Sequence, residues 1–267
     1  MSLKAKNRYQ AFGVHFLISL FIVINFAFLI LAQWYPEPFF SADGGWSIFR
    51  MIILVDLVLG PCLTLIIYRP GKKGLKFDMS AIAVVQLVAL IYGGSILYQE
   101  RPMFLVFSVD RFVLASADDV DINKLRDPLL NTAQATGPVP VYARMPEDPE
   151  ERNKLVSEVL SGQPDLEFRA EYYEPYTPNL SNVLAKGKPI EVFQFLADSD
   201  RKKVTMFHDG NCSDGCIYFP LVGKKQEVLL AISKKDGRVI GSIEVDPWVN
   251  DKKFKTAKNA GPKVKFQ

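Results

Sequence analysis

Three long apolar runs fill most of the first 100 residues of this 267-residue chain. They cover residues 11–33, 47–68 and 79–98, and each reaches the length of about 20 residues that a helix needs to cross a bilayer. The first run is longer than the roughly 7–15 residues of a signal-peptide core, and no small-x-small cleavage site follows it. The sequence therefore predicts an N-terminal membrane domain, residues 1–100, with three retained transmembrane helices.

The charges of the short loops predict the orientation of these helices. Three basic residues precede the first run and four lie within 69–76, after the second run. The loop between these two runs carries Glu37 and Asp43 but no Lys or Arg. Because Lys and Arg collect on the cytoplasmic side of a membrane, the N-terminus is expected in the cytoplasm. Everything after Tyr98 is then expected outside.

Residues 101–250 are expected to form a soluble α+β domain with an antiparallel sheet. The apolar runs 103–109 and 112–117 flank a polar pair and predict a hairpin of two strands. Residues 149–160 have apolar side chains at helical spacing after an acidic first turn, which predicts a helix.

The C-terminal part of this domain carries three further strand-like runs. They read CIYFPLV, EVLLAIS and VIGSIEV, and the Asp236-Gly237 pair between the last two is a strong hairpin signal. These runs predict a three-stranded antiparallel meander. The lysine-rich tail that follows, residues 251–267, is expected to be disordered and able to touch anionic lipid.

The charge balance and the polar residues exclude several classes of function. Residues 101–267 hold 24 basic and 24 acidic side chains, so they lack the basic surplus that binding to nucleic acid requires. The sequence shows no nucleophile–base arrangement, no glycine-rich phosphate loop and no paired carboxylates. We therefore expect neither an enzyme nor a bound cofactor.

Two cysteines in the expected exported half form the motif NCSDGC. Cys212 and Cys216 lie close together and on the oxidising side of the membrane, so we predict a disulfide between them. Free thiols and a metal site remain alternatives. Together with His208 the cysteines offer three ligands where a zinc site needs four, so no metal is predicted.

The second apolar run carries residues that a lipid-facing helix would avoid. Asp56, Gly60 and Thr64 are four residues apart and therefore share one helix face. Pro61 has no N–H, which in an α-helix leaves the carbonyl of Leu57 without its donor. The face thus combines a carboxyl group, a small residue and a free carbonyl.

The third apolar run carries a comparable face, formed by Gln86 and Gly93. Polar and small residues on one face are what membrane helices use to pack closely and to form hydrogen bonds. Two interpretations stay open. Either the polar faces form a groove for another helix or a proton, or they pack against each other inside the three-helix bundle.

The chain contains the segments DLVLGPCLTLIIYRPGKK and YQERPMFLVFSVDRFVLASADD, in this order. This combination resembles the type IV pilin accessory protein family, the TfpX/TfpZ group. The resemblance runs from the N-terminus through the membrane half into the first strands, and more loosely to the end. The family's characteristic positions fall here on Asp56, Leu59, Gly60, Pro61, Thr64, Arg101, Pro102, Asp110, Arg111 and Phe112.

The resemblance implies a chaperone-like accessory protein of the bacterial inner membrane, with its C-terminal domain in the periplasm. Such a protein would bind the major type IV pilin, with other inner-membrane pilus machinery as further candidate partners. It would modulate assembly of pilin into the pilus or retraction from it. A periplasmic sensor, or a small membrane transport component that uses Asp56, remains the alternative. The sensor is disfavoured by cytoplasmic segments too short for an output domain.

Overall fold

In the computed structural model the chain forms two compact units, Met1–Arg101 and Pro102–Gln267. The structure describes residues 7–130 and 137–248. The tail predicted to be disordered, residues 251–267, lies outside the described residues.

Three helices that are long and apolar enough to cross a membrane make up the first unit. Span 1 is Arg8–Trp34, span 2 is Gly45–Ile67 and span 3 is Leu75–Gln99. Span 1 begins at an N-cap, because the side chain of Asn7 accepts a hydrogen bond from the backbone N–H of Gln10. The three-helix part of the predicted fold class is confirmed.

Two of the spans change their helical geometry along their length. Span 1 is α-helical over Arg8–Leu29 and π-helical over Ile30–Trp34. Span 2 is α-helical over Gly45–Ile53, π-helical over Leu54–Leu59 and α-helical again over Gly60–Ile67. A π-helical turn contains one extra residue and shifts the backbone hydrogen bonds by one position. Span 3 is α-helical throughout.

An aromatic cluster fills the segment between span 1 and span 2. A short helix, Phe39–Asp43, buries Phe40 against Tyr35 and Phe49, with ring centroids 5.6 and 6.3 Å apart. The Tyr35 hydroxyl donates to the backbone carbonyl of Leu97 at 3.1 Å. The cluster therefore ties this connection to the end of span 3.

The second unit is built on one seven-stranded sheet in the order β4-β3-β1-β2-β5-β6-β7. The strands are β1 Pro102–Ser108, β2 Arg111–Ser116, β3 Val139–Ala143, β4 Tyr173–Pro175, β5 Cys216–Val222, β6 Glu227–Ser233 and β7 Val239–Ile243.

The predicted hairpin and the predicted meander are both present, as β1–β2 and β5–β6–β7. The α+β fold class is thereby confirmed, but the sheet is mixed rather than antiparallel. β1 pairs with β3 and β2 pairs with β5 in parallel. Parallel neighbours need a long crossover connection. The connection from β1 to β3 includes β2 and two 3₁₀ turns, and the connection from β2 to β5 includes α-helices. The hairpin lies at the centre of the sheet, where both of its outer edges pair with strands distant in sequence.

The Pro149–Leu160 helix has the bounds that the sequence predicts. The Asp148 side chain accepts a hydrogen bond from the backbone N–H of Glu151, and a proline occupies the first turn. Leu155 is buried in the same core cluster as Phe104 of β1. The helix therefore covers this part of the sheet.

The second long helix of this unit, Asp198–Asn211, was not predicted. Its residues are mostly polar, so its apolar spacing is weak. Val204 is its buried anchor and belongs to the core cluster that contains Tyr218 and Leu229. The rest of the unit consists of a short helix, Leu180–Leu184, and 3₁₀ turns at Ile122–Lys124, Pro128–Leu130, Leu166–Phe168, Ala170–Tyr172, Thr177–Asn179 and Ile190–Phe195.

Candidate functional site

A buried network of polar side chains joins the three spans. His15 of span 1 places Nδ1 2.6 Å from Thr64 Oγ1 and Nε2 2.7 Å from Gln86 Oε1. Gln86 of span 3 donates through Nε2 to the backbone carbonyl of Asp56 at 3.2 Å and to Asp56 Oδ1 at 3.3 Å. Asp56, Thr64 and Gln86 are 5, 2 and 9 % exposed. Three of the four side chains therefore lie inside the bundle, and His15 is partly exposed.

The π-helical turn and the proline explain why the carbonyl of Asp56 is free to join this network. The N–H of Gly60 bonds to the carbonyl of Val55, five residues back, instead of to Asp56. The next residue, Pro61, has no N–H to offer. The Asp56 carbonyl thus has no donor within its own helix, and the Gln86 amide supplies one from span 3.

The prediction from α-helical geometry named the carbonyl of Leu57 instead. The structure places the freed carbonyl one residue earlier, at Asp56. In an α-helix the N–H of residue 61 would bond to the carbonyl of residue 57, and in a π-helical turn it would bond to the carbonyl of residue 56. Because residue 61 is a proline, the carbonyl without a donor is therefore that of Asp56.

The hydrogen bonds also determine which ring nitrogen of His15 carries a proton. The backbone carbonyl of Asp56 can only accept, so the NH₂ group of Gln86 must face it and Gln86 Oε1 must face His15. The amide oxygen of Gln86 can only accept, so His15 Nε2 must carry a proton and donate it to this hydrogen bond. When the ring is neutral, Nδ1 accepts from the Thr64 hydroxyl.

Gly60 is needed for the close approach of span 3. A Cβ atom at this position would lie 2.1 Å from Gln86 Nε2 and 2.4 Å from its Cδ. A second glycine, Gly93 of span 3, leaves room for Ile52, whose Cδ1 would lie 2.8 Å from an added Cβ. Small residues thus allow these two helices to pack closely, as is typical of membrane helices.

One oxygen of the network has no partner. Among the described residues, Asp56 Oδ2 is the only buried side-chain nitrogen or oxygen atom without a hydrogen-bond partner. Buried polar atoms are rarely left in this state, and an exception calls for an explanation.

Two grooves flank span 3, and Gln86 lines both. The polar groove, between span 1 and span 3, has a volume of about 240 Å³ and is lined in part by His15, Ser19 and Asp56. The apolar groove, between span 2 and span 3, has a volume of about 250 Å³, and residues such as Leu59 line it. The two grooves are similar in size but differ in their chemistry.

The structure brings together four of the five predicted intramembrane residues. Asp56, Gly60, Thr64 and Gln86 contact one another directly or through His15, and Pro61 acts through its missing N–H. These contacts favour the internal-packing interpretation for most of the polar face.

The sequence analysis missed His15 as a member of this site. A single ionisable residue within an apolar span is a signal of function in its own right, because such residues are costly in a membrane. Ser19, one helical turn further on, is 5 % exposed and marks the same face of span 1.

The first two motif residues of the predicted soluble domain lie at the boundary between the two units. The guanidinium of Arg101 lies 3.8 Å from the centroid of the Tyr98 ring. It also donates to the Tyr98 carbonyl at 2.7 Å, and so covers the end of span 3. Pro102 is the first residue of β1.

The remaining motif residues shape the β1–β2 hairpin. Asp110 and Arg111 form an ion pair of 3.0 Å in the turn. Phe112 is fully buried and packs edge-to-face on Phe107 and Phe219, with centroids 5.2 and 5.3 Å away. Phe112 therefore packs the centre of the sheet, whereas the Asp110–Arg111 pair lies exposed at the turn.

Cys212 and Cys216 are joined by a disulfide in the structure. It links the end of the Asp198–Asn211 helix to the start of β5. The Tyr218 hydroxyl lies 3.6 Å from Cys212 Sγ and 2.7 Å from His208 Nδ1. Burial raises the pKa of Tyr218 to about 12, so its hydroxyl stays protonated. Within residues 7–130 and 137–248 no cluster of metal-ligating side chains is found.

Comparison with known proteins identifies the family. A family model described as fimbrial assembly protein FimB matches residues 3–44. Fimbrial assembly proteins of serogroups I and E1 of Dichelobacter nodosus are each 28 % identical over 243 residues, which cover 88 % of this chain and 94 % of the relative. The fimbrial assembly protein of serogroups C1 and C2 is 37 % identical over 115 residues, 42 % of this chain and 88 % of the relative. The chain belongs to the fimbrial assembly protein family.

Membership in the fimbrial assembly family confirms the resemblance to type IV pilin accessory proteins. The family model covers all of span 1, including His15 and Ser19 of the polar groove. No solved structure matches the chain.

Proposed function

We propose that this protein is a non-enzymatic accessory protein of type IV pilus biogenesis, which binds the major pilin within the inner membrane and modulates its assembly or retraction. A role in the biogenesis of pili follows from membership in the fimbrial assembly family. The Lys/Arg bias of the loops supports a cytoplasmic N-terminus and a periplasmic soluble domain. The pilin partner and the step at which the protein acts are the new parts of the proposal.

The observation that carries the proposal is the polar groove between span 1 and span 3. Span 2 packs against both of these helices, whereas span 1 and span 3 meet at the His15–Gln86 hydrogen bond and leave a groove beside it. The side chains at the edges of this groove point away from the bundle, since Ile18, Ile22 and Leu87 are 54, 41 and 56 % exposed. A helix that docks here would contact an apolar rim and a polar floor.

The resemblance implies a partner that suits such a groove. Before assembly, a pilin subunit resides in the inner membrane through one long apolar helix, with its globular domain on the exported side. In lipid, helices associate through close packing and interhelical hydrogen bonds, because lipid tails are as apolar as leucine side chains. The polar groove offers both types of contact to a fourth helix.

Photo-crosslinking in cells tests the proposal. A photoreactive phenylalanine analogue replaces Leu87 on the polar groove or, as a matched control, Val85 on the apolar groove. The two positions lie on the same helix on either side of Gln86 and are 56 and 64 % exposed. We expect a crosslink to the major pilin from position 87 and little or none from position 85.

Two results would count against the proposal. The absence of pilin crosslinks at both positions, with normal amounts of the protein, would remove pilin as the partner in the membrane. Equal crosslinking at both positions would indicate unspecific contact along span 3 and would remove the polar groove as the docking site.

A further inference from the structure

The unpartnered oxygen of Asp56 lies at the depth where a missing partner is most costly. Asp56 is the middle residue of span 2, and Gln86 is next to the middle residue of span 3. No water is available at the centre of a bilayer to complete the hydrogen bonds of a carboxyl group. The other oxygen of Asp56 and its backbone carbonyl are both bonded to Gln86.

The side chains around Asp56 do not supply this partner. Gln86 uses its NH₂ group on Asp56 and its oxygen on His15. Both ring nitrogens of His15 are engaged as well, with Gln86 and with Thr64. Within the described part of the chain the network is therefore complete except at Asp56 Oδ2.

Asp56 also lines the polar groove, which opens between span 1 and span 3. A helix lying in this groove would bring its side chains to the level of Asp56. The apolar groove on the other side of span 3 has no such residue, because its lining beyond Gln86 is aliphatic or glycine. Asp56 thus distinguishes one groove from the other.

We propose that the polar groove binds a transmembrane helix that carries a neutral hydrogen-bonding side chain, a hydroxyl or an amide, at the middle of its span. This group bonds to the free oxygen of Asp56 once the side chains that cover this buried oxygen move aside. A hydroxyl or amide can donate to a carboxylate and can also accept from a protonated carboxyl, so it suits either state of Asp56. It also avoids the cost of burying a second charge. The inference rests on the proposed function only for the identity of the helix.

Synthetic helices provide the probe. The full-length protein, labelled with a fluorescence acceptor, is reconstituted in phosphatidylcholine vesicles and titrated with donor-labelled 21-residue leucine–alanine helices. One helix has Asn at its centre, a second has Leu there, and a third has Asn seven residues from the centre, about 10 Å away along the axis. The peptide-to-lipid ratio is kept low enough for each helix to remain monomeric in vesicles without the protein.

We expect the central-Asn helix to bind about 3- to 18-fold more tightly than the central-Leu helix, the range measured for hydrogen bonds between membrane helices. The displaced Asn should bring no gain. Equal binding of the central-Asn and central-Leu helices to the wild-type protein would overturn the inference. A gain that does not depend on the depth of the Asn would overturn it as well.

Variants of the protein locate the contact. Asp56→Leu should abolish the preference for central Asn, and Leu87→Trp, which fills the polar groove, should weaken binding of every helix. Val85→Trp fills the apolar groove and should leave the preference intact. If Val85→Trp loses the preference for central Asn and Leu87→Trp keeps it, the helix binds in the apolar groove and the proposal is refuted.

This experiment separates the inference from the proposed function. If the preference for central Asn is found but pilin does not crosslink at Leu87, the chemistry of the groove stands and pilin is excluded as its occupant. If pilin crosslinks there but the helices bind equally, pilin binding stands and the role of the Asp56 oxygen is refuted.

Discussion

The contact between Gly60 and Gln86 makes a quantitative prediction for Gly60→Ala. The added Cβ would lie 2.1 Å from Gln86 Nε2, so the amide must move and release its hydrogen bonds to Asp56 and His15. Hydrogen bonds between membrane helices contribute about 0.6 kcal/mol each on average. Forcing a methyl group into a packed site costs about 1–3 kcal/mol, and the better helix propensity of alanine offsets up to about 1 kcal/mol. We expect the free energy of unfolding to fall by about 2–4 kcal/mol.

The same substitution in a Gln86→Ala background isolates the cause of this loss. Without the amide, the three nearest atoms that the new Cβ would meet are absent. Gly60→Ala should then cost no more than about 0.5 kcal/mol, which gives a coupling energy of at least about 1.5 kcal/mol, in the upper part of the usual range of about 0.5–3 kcal/mol. The assay is SDS titration of the purified protein in mixed micelles, followed by far-ultraviolet circular dichroism.

Gly13 provides a matched control in span 1. A Cβ atom at Gly13 would meet no atom within 4 Å. Gly13→Ala should therefore be neutral or stabilise the protein by up to about 1 kcal/mol. If Gly60→Ala costs the same with and without Gln86, the steric argument for Gly60 is refuted.

Three further predictions concern the topology and the soluble domain. Alkaline phosphatase fused after Phe104 should be active and fused after Lys73 inactive, and the reverse pattern would place the soluble domain in the cytoplasm. Reduction of the Cys212 disulfide should lower stability by about 2 kcal/mol, at the low end of the usual range because the closed loop is short; free thiols before reduction, detected by mass spectrometry, would contradict this. The hydrogen bonds from Arg144 lower the pKa of Glu174. Glu174→Gln should therefore lower the free energy of unfolding by up to about 1 kcal/mol at neutral pH, measured by thermal unfolding. This difference from the wild type should shrink as the pH falls below about 4 and should vanish below the lowered pKa of Glu174, where the carboxyl group is protonated in both states. A cost that persists in acid would contradict the ion-pair explanation.

Local signals account for the parts of the fold that could be predicted. The three spans follow from the length and composition of continuous runs, which do not depend on their neighbours. The Pro149–Leu160 helix has an aspartate cap and a proline in its first turn. The β1–β2 hairpin is formed by strands that are adjacent in sequence.

The parts that could not be predicted depend on contacts between distant segments. The parallel pairings β1–β3 and β2–β5 bring together strands separated by long connections, and no local pattern specifies them. The Asp198–Asn211 helix has a mostly polar sequence and is held by its packing around Val204.

The candidate site shows the same division. The four-residue spacing of Asp56, Gly60 and Thr64 places them on one face of span 2, and this much the sequence alone determined. It could not determine what that face contacts. The polar face indicates which side of span 2 turns away from lipid, but not whether another span or a partner helix covers it.

Only the tertiary structure decided that His15 and Gln86 cover most of this face and that one oxygen of Asp56 remains without a partner. The physical reason is that each of these polar groups needs a hydrogen-bond partner within the membrane. The choice of partner depends on how three separate helices rotate and approach one another, and that information is distributed over all three.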